Sequence, residues 1–317
     1  MERQFFAEYR PVRTSESYGE KLAHVRQLVS QLEKIGVRAT SSRVGSYVRF
    51  LERYLAKKCT VDEIEQRLLH VLREVDEWSW IQRAFQNTTI ESIASLLKEA
   101  IGGPDFVDAE GENTRPRNIQ LELRVGSYFL QSGFEVKFSD SSDLTLDVVG
   151  FPVFVECKRL GSTRQVIKRA SEAAKQLRRS YRGVGEPAYG LIVLDVSRIV
   201  EPRHWIGIGA NELATRDAIR SRIVAFADAY DTSKVFGKDK KLLAVWHQAI
   251  LPTYHLQENE SSTIFSSNIR IYAQEGQRRW MLFQKIRDAF ESASSHPDHL
   301  ILPPGAAITM ATEPKSD

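Results

Sequence analysis

The chain has 317 residues, of which 42% are hydrophobic and 27% are charged, so it can bury the core of one large or two modest globular domains. Its formal net charge is only +3, which by itself does not favour a nucleic-acid partner. No apolar run is long enough to span a bilayer, the first residues lack a secretory signal, and two cysteines cannot build a disulfide framework or a zinc cluster. We therefore expect a cytoplasmic protein without a membrane partner.

Helical periodicity dominates residues 1–101, which we expect to form an all-α N-terminal domain. One amphipathic segment ends at Gly36, and two capping-box patterns, Thr60–Glu63 and Thr88–Glu91, precede further helices. Residues 102–116 are rich in Gly, Pro, Asp and Asn and are predicted to be a linker. The helical domain carries no ligand cluster, so DNA binding, homodimerisation and recruitment of a protein partner all stay open for it.

After the linker, helices alternate with apolar strands. The pattern predicts a helix ending at Gly133, a short strand, a hairpin turning near Gly150, a basic helix, an apolar strand, and further helices and strands. This alternation predicts an α/β domain over 117–293, with a sheet covered by helices on both faces. Residues 207–212 lack the spacing of a phosphate-binding loop and are predicted to be a plain loop. Residues 294–317 are predicted to be a flexible tail.

Charged residues end the second strand of the predicted hairpin. Residues two apart in a strand point the same way, so Glu156 and Lys158 share one face. With a two-residue turn at Val149–Gly150, Asp143 lies directly opposite Glu156 on that face. Two carboxylates beside a lysine suit a site for a hard divalent cation such as Mg²⁺ or Mn²⁺.

Two alternatives accompany this interpretation. Asp147 shares the face of Asp143 and would pair with Glu156 if the turn lay at Phe151–Pro152, which is a poorer turn sequence. Taken alone, Glu156 and Lys158 are also consistent with a plain ion pair at a strand end.

The helix after the hairpin is strongly basic. From Lys158 to Arg182 the only acid is Glu172, a concentration of charge that is typical of phosphate-binding surfaces. A solvated helix face is the alternative interpretation. The expected nucleic-acid contacts are Arg159, Arg164, Lys168, Arg169, Lys175, Arg178 and Arg179.

The combination of Asp143, a hairpin glycine, and Glu156 and Lys158 at the end of an apolar strand resembles the PD-(D/E)XK nuclease superfamily. The order helix, strand, hairpin, helix, strand over 117–196 is similar to the α-β-β-β-α-β core of this restriction-endonuclease-like fold. The proline of the family's name is missing, since Ser142 precedes the aspartate. The resemblance covers about a quarter of the chain.

The resemblance implies a metal-dependent phosphodiesterase that hydrolyses nucleic acid. Asp143 and Glu156 would bind Mg²⁺ or Mn²⁺ together with the carbonyl of Cys157, and Lys158 would be catalytic. Double-stranded DNA is the expected substrate, RNA stays an alternative, and restriction, repair or antiphage defence is the implied setting. A non-catalytic nucleic-acid-binding protein, or a scaffold with the same fold, is the alternative function.

Two further residues match the superfamily. Glu122 on the first core helix would be an additional metal ligand and catalytic residue, with an ordinary exposed helix acid as the alternative. The resemblance also implies a catalytic role for Gln176 on the basic helix. This residue lies away from the predicted buried stripe of the helix and is therefore free to face a ligand. The predicted buried stripe consists of Val166, Ala170, Ala173, Leu177 and Tyr181. A solvated glutamine is the alternative there.

Overall fold

The computed structural model describes residues 17–85, 93–106, 114–139, 142–184, 187–201, 206–236, 239–294 and 307–310. The helices are α1 (Tyr18–Lys34), α2 (Arg43–Leu55), α3 (Val61–Phe85), α4 (Ala94–Ala100), α5 (Arg115–Gln131), α6 (Val166–Arg182), α7 (Ser197–Val200), α8 (Glu212–Ala229), α9 (Ser233–Phe236) and α10 (Arg278–Ser294). The strands are β1 (Val136–Ser139), β2 (Ser142–Val148), β3 (Phe151–Arg159), β4 (Tyr189–Asp195), β5 (Gly207–Gly209), β6 (Leu242–His255), β7 (Glu260–Ile271) and β8 (Ala307–Met310). None of the helices in these ranges combines the length and apolarity that crossing a bilayer requires.

The chain divides into two compact units, and the division falls inside α5. The helical unit ends at Ser127 and also takes in Ser261–Thr263, while the sheet unit takes in Tyr128–Glu260 and the chain from Ile264. Helix α5 begins at Arg115, inside the segment that composition predicts to be a linker. The helical unit thus continues beyond the predicted boundary.

Polar contacts explain why the first part of α5 belongs to the helical unit. Glu74 of α3 is fully buried and accepts hydrogen bonds from Arg43 at 2.8 Å and from Arg117 of α5 at 2.7 Å. Glu77, one turn further along α3, accepts from Arg124 of α5 at 2.8 Å. Buried carboxylates that bridge three elements tie α5 to the preceding helices.

The start of α3 confirms a predicted capping box. The Thr60 hydroxyl accepts the backbone N–H of Glu63 at 3.2 Å, and the Glu63 carboxylate accepts the N–H of Thr60 at 2.9 Å. The second predicted box, Thr88–Glu91, lies outside the described residues.

The described strands form one mixed sheet in the order β1-β2-β3-β4-β6-β7-β8, with β5 beside β6. Strands β1, β2 and β3 pair antiparallel, whereas β3 with β4 and β4 with β6 pair parallel. Helix α6 connects β3 to β4, as expected for a parallel pair. The sheet unit is therefore of mixed α/β type, as the alternating pattern predicts.

Helices cover both faces of this sheet. Trp246 of β6 packs its ring against Tyr128 of α5 at 5.4 Å and Phe290 of α10 at 5.7 Å. Its neighbour Val245 belongs instead to the core beneath α6 and α8, which includes Ala170. Successive side chains of a strand point to opposite faces, so the two helix pairs lie on opposite sides of the sheet.

Two short strands correct the sequence analysis. Gly207–Gly209, predicted to be a plain loop, forms β5 and pairs parallel with β6. Ala307–Met310, predicted to be part of the flexible tail, pairs parallel with β7, and the rest of that tail after Ser294 lies outside the described residues. Three or four residues are too short to show strand periodicity, so pairing with a longer strand decides their conformation.

Gly190 of β4 lies directly under α6, and its replacement by Ala is expected to destabilise the sheet unit. A Cβ atom there would meet the Tyr181 hydroxyl and lie 2.8 Å from Leu177 Cδ1. We expect Gly190→Ala to lower the free energy of unfolding by about 1–3 kcal/mol, measured by urea denaturation. Gly183→Ala at the end of α6 is the matched control, because the added Cβ atom would lie 3.6 Å from the Ser180 carbonyl oxygen, which is an ordinary contact. Equal stabilities for the two variants would contradict the close packing of α6 on Gly190.

Candidate functional site

The β2–β3 hairpin has the predicted turn. Its ladder pairs run from Val148↔Phe151 to Leu144↔Val155, and the turn residues Val149 and Gly150 have positive φ values of 55° and 79°. Positive φ at both turn positions is the geometry of a two-residue type I′ hairpin turn. One residue beyond the last pair, Asp143 faces Glu156, as the sequence analysis predicts.

The alternative position of the aspartate is wrong. Asp147 pairs with Pro152 beside the turn, and its carboxylate accepts the backbone N–H of Gly150 at 2.9 Å. Its side chain therefore stabilises the turn and does not lie opposite Glu156.

Three predicted side chains meet at the end of this hairpin. The Nζ atom of Lys158 lies 3.0 Å from Oε2 of Glu156 and 3.5 Å from Oδ2 of Asp143. The backbone N–H of Cys157 donates to the same Oδ2 atom at 2.6 Å. Sequence reasoning missed this last contact, although a two-residue turn brings the backbone of Cys157 close to Asp143. The arrangement fixes two carboxylates and one ammonium as a single group.

The group lies on the face of the sheet that α6 covers. Phe154 packs its ring on Tyr181 of α6 at 6.3 Å, and Glu156 is two residues further along the same strand. It therefore points to the same side. Glu156 is fully buried, whereas the side chains of Asp143 and Lys158 keep 19% and 14% of their surface exposed. Solvent and ligands can thus reach the group from the Asp143 and Lys158 side.

The electrostatics of Glu156 are unusual for a carboxylate. Burial, reinforced by the nearby Asp143 charge, raises the pKa of Glu156 to about 7 even though Lys158 works against the rise. Its Oε1 atom is buried and has no hydrogen-bond partner among the described residues. A buried carboxylate oxygen ordinarily has a hydrogen-bond donor or a cation beside it, so this atom is a candidate ligand for a cation.

Lys158 remains a cation in this environment. Burial disfavours its ammonium, but the charges of Asp143 and Glu156 outweigh that effect and raise the pKa of Lys158 above its ordinary value. The side chain is consequently a proton donor near neutral pH and cannot act as a general base there.

The donor set fits Mg²⁺ or Mn²⁺ better than Zn²⁺, which takes three or four protein side chains as ligands. In the part of the chain that the structure describes, no group of three or more His, Cys, Asp or Glu side chains could hold a metal ion. Mg²⁺ is commonly bound through one or two carboxylates, with water and phosphate oxygens completing its shell. Asp143 and Glu156 supply such a pair, and the free Oε1 atom of Glu156 is one of its oxygens. The carbonyl of Cys157 as a further ligand stays a prediction.

The raised pKa of Glu156 gives a pH dependence of stability. The pKa of Glu156 is higher in the folded protein than the ordinary value of 4.5, so the protonated side chain stabilises the fold. This stabilisation is fully present below pH 4.5 and is lost as the pH rises through about 7. We expect the metal-free protein to lose more stability than Glu156→Gln does between about pH 5 and about pH 8 in denaturant titrations. Parallel curves for the two proteins would show that Glu156 ionises normally.

Glu122 lies on α5, half-buried and on the helical unit's side of the division at Ser127. The face of α5 that bears Arg117 and Arg124 contacts α3, and Glu122 lies on the opposite face. Its role as a metal ligand stays a prediction.

Gln176 is half-buried on one flank of α6, in line with Arg169 and Glu172. The other flank carries Arg178, which pairs with Asp239 just before β6. Because β2 and β6 lie on opposite sides of the β3–β4 pair, the flank of Gln176 is the one on the β2 side. Asp143 belongs to β2, so this position agrees with the predicted role of Gln176, which stays untested.

The predicted nucleic-acid contacts occupy the surface of α6 and the end of β3. Arg169 is paired with Glu172 at 2.9 Å and Arg178 with Asp239 at 3.5 Å, whereas Arg159 is half-buried. Surface pairs of this kind are weak and leave the charge available to a ligand. The exposed members are Arg164 in the turn just before α6 and Lys168, Lys175, Arg178 and Arg179 on the helix itself. Val166, Ala170, Ala173, Leu177 and Tyr181 form the buried stripe of the helix, as predicted.

Comparison with protein-family models, curated proteins and solved structures finds no significant match. The functional interpretation of the chain therefore depends on its residues and their geometry.

Proposed function

We propose that the protein is a Mg²⁺- or Mn²⁺-dependent nuclease that hydrolyses phosphodiester bonds of nucleic acid, with DNA as the expected substrate. The observation that carries the proposal is the group formed by Asp143, Glu156 and Lys158. It combines a buried carboxylate with an unsatisfied oxygen, a second carboxylate and a protonated amine in one partly accessible place.

A plain ion pair explains this group less well. An ion pair at a strand end satisfies its two partners, whereas here two carboxylates share one ammonium and Oε1 of Glu156 has no hydrogen-bond partner in the described part of the chain. Burial, reinforced by the Asp143 charge, raises the pKa of Glu156 to about 7, so the Lys158 ammonium does not fully offset the cost of ionising this carboxyl group. A divalent cation would supply the missing positive charge, since a nearby cation favours the ionised carboxylate.

Each residue then has a chemical role. The bound cation would act as a Lewis acid towards a phosphate oxygen. Asp143 and Glu156 hold it, and the N–H of Cys157 keeps the Asp143 carboxylate in place. Lys158, protonated near neutral pH, stabilises the negative charge that grows on the phosphate oxygens during attack by water, or orients that water.

The surroundings of the group support the proposal. The elements α5, β1, β2, β3, α6 and β4 follow one another in the order of the α-β-β-β-α-β core of restriction-endonuclease-like proteins. The exposed cations of α6 suit contacts to a phosphate backbone that carry no sequence information.

The test is cleavage of supercoiled plasmid, linear duplex and RNA by the purified full-length protein with Mg²⁺ or Mn²⁺, beside an EDTA control. Cleavage that requires the metal supports the proposal, and nicking as opposed to shortening from the ends distinguishes an endonuclease from an exonuclease. Binding of these substrates without cleavage under any of the conditions would favour the non-catalytic alternative.

A further inference from the structure

A second group of basic side chains lies at the other end of the sheet from the carboxylates. We call it the distal basic cluster, and it consists of Arg178, Arg182, Lys240, Lys241, Arg278 and Arg279. These residues come from the last turns of α6, the segment before β6 and the first turn of α10. Their closeness in space could not be predicted from the sequence, because the three segments are far apart in the chain.

Contacts between these segments show that the cluster is one surface. The Asp239 carboxylate accepts the backbone N–H of Lys241 at 3.0 Å and pairs with Arg178 at 3.5 Å. The Asp239 carbonyl accepts a hydrogen bond from Arg279 at 3.2 Å. Arg182 is one turn further along α6 from Arg178 and is exposed. One residue, Asp239, therefore joins all three segments.

Aromatic rings hold two of the cations at the surface. The Nζ atom of Lys241 lies 5.1 Å from the ring centre of Tyr181, and the guanidinium of Arg278 lies 5.1 Å from that of Phe151. Such contacts orient a cation without neutralising it. Asp239 contacts the cluster directly, and the exposed Glu275 lies in the turn before α10, so these two carboxylates stand against six basic side chains.

The exposed face of α6 extends from the Asp143 and Glu156 carboxylates to the distal basic cluster. Along β3, Glu156 lies five residues from Phe151, which corresponds to about 17 Å. Helix α6 runs between the two ends over its 17 residues, a length of about 26 Å, or roughly 8 base pairs of duplex. The exposed cations along this path are Arg164 in the turn just before α6 and Lys168, Lys175, Arg178, Arg179 and Arg182 on the helix.

We infer that the phosphate backbone of the substrate runs along α6 from the Asp143–Glu156–Lys158 group to the distal basic cluster, which binds phosphates remote from the cleavage position. This inference rests on the proposed nuclease function for the direction of the substrate. The cluster contributes affinity and not chemistry, because it lies away from the reacting phosphate.

The test compares the full-length protein with Lys240→Glu/Arg278→Glu, using a fluorescent duplex of about 24 base pairs, roughly three times the length that α6 spans. The control is Lys34→Glu/Lys98→Glu, which reverses two exposed lysines of the helical unit. Metal-free binding is measured by anisotropy over a range of salt concentrations. We expect the distal variant to raise Kd about tenfold and to reduce the salt slope by about 2, while the control changes neither.

Cleavage assays separate this inference from the nuclease proposal. We expect the distal variant to need about tenfold more duplex than the wild type for half-maximal cleavage, whereas the control variant does not. If the distal variant has the same Kd and the same salt slope as the wild type, the inference is wrong, even if the wild-type protein cuts DNA. If the wild type cuts nothing but the distal variant loses affinity, the distal basic cluster is a phosphate-binding surface and only the nuclease proposal fails.

Discussion

Lys158→Ala is expected to lower the rate of metal-dependent DNA cleavage by about 10²- to 10³-fold, the range seen when one donor to developing negative charge is removed. Its Nζ atom, 3.0 Å from Glu156 and 3.5 Å from Asp143, is the only ammonium in the described part of this group. The measurement is the initial rate of plasmid nicking or duplex cleavage at saturating metal.

Lys137→Ala is the matched control for this experiment. Lys137 is an exposed lysine of the same sheet that pairs with Glu135 at 3.1 Å, and its loss is expected to leave the rate unchanged. Circular dichroism would check that both variants fold. Full activity in Lys158→Ala would remove the ammonium from the mechanism and reduce the group to a structural ion pair.

Glu74→Gln is expected to destabilise the helical unit by about 3–5 kcal/mol, because it leaves buried arginines without their counter-charge. Burial disfavours the Glu74 carboxylate, but Arg117, Arg73 and Arg43 outweigh this effect and hold its pKa well below the ordinary value. The substitution keeps the size of the side chain, so the effect measures charge. Urea denaturation followed by circular dichroism would quantify it.

The control for Glu74 is an exposed ion pair in the same unit. Glu52 pairs with Arg26 at 2.7 Å, and both side chains are at least 40% exposed. Glu52→Gln is expected to cost less than about 1 kcal/mol. A similarly small loss for Glu74→Gln would mean that water or relaxation of the arginines compensates for the missing carboxylate.

Local sequence patterns predicted the hairpin and the group at its end well. A two-residue turn, strand parity and an apolar strand that ends in charges are local properties, and together they determine that Asp143, Glu156 and Lys158 meet. The buried stripe of α6 is local in the same sense. These features need no knowledge of distant contacts.

Features that depend on distant contacts could not be predicted in this way. Arg43, Glu74 and Arg117 look like ordinary surface charges of amphipathic helices until the helices pack and bury them. The division of the chain inside α5 follows from those contacts and not from composition. In the sheet unit, Lys241 and Arg279 come together only because both donate hydrogen bonds to Asp239.

The type I′ turn at Val149–Gly150 makes the candidate site sensitive to strand length. Deleting one residue of β2 between Asp143 and the turn would put the aspartate side chain on the opposite face of the sheet from Glu156, since side chains alternate along a strand. Deleting two residues would restore the face but shift the aspartate by about 7 Å along the strand. Length changes in the segment between β3 and α6 carry no such penalty. The site therefore requires a fixed number of residues between the turn and its side chains. Natural insertions or deletions that preserve the group are expected outside β2 and β3.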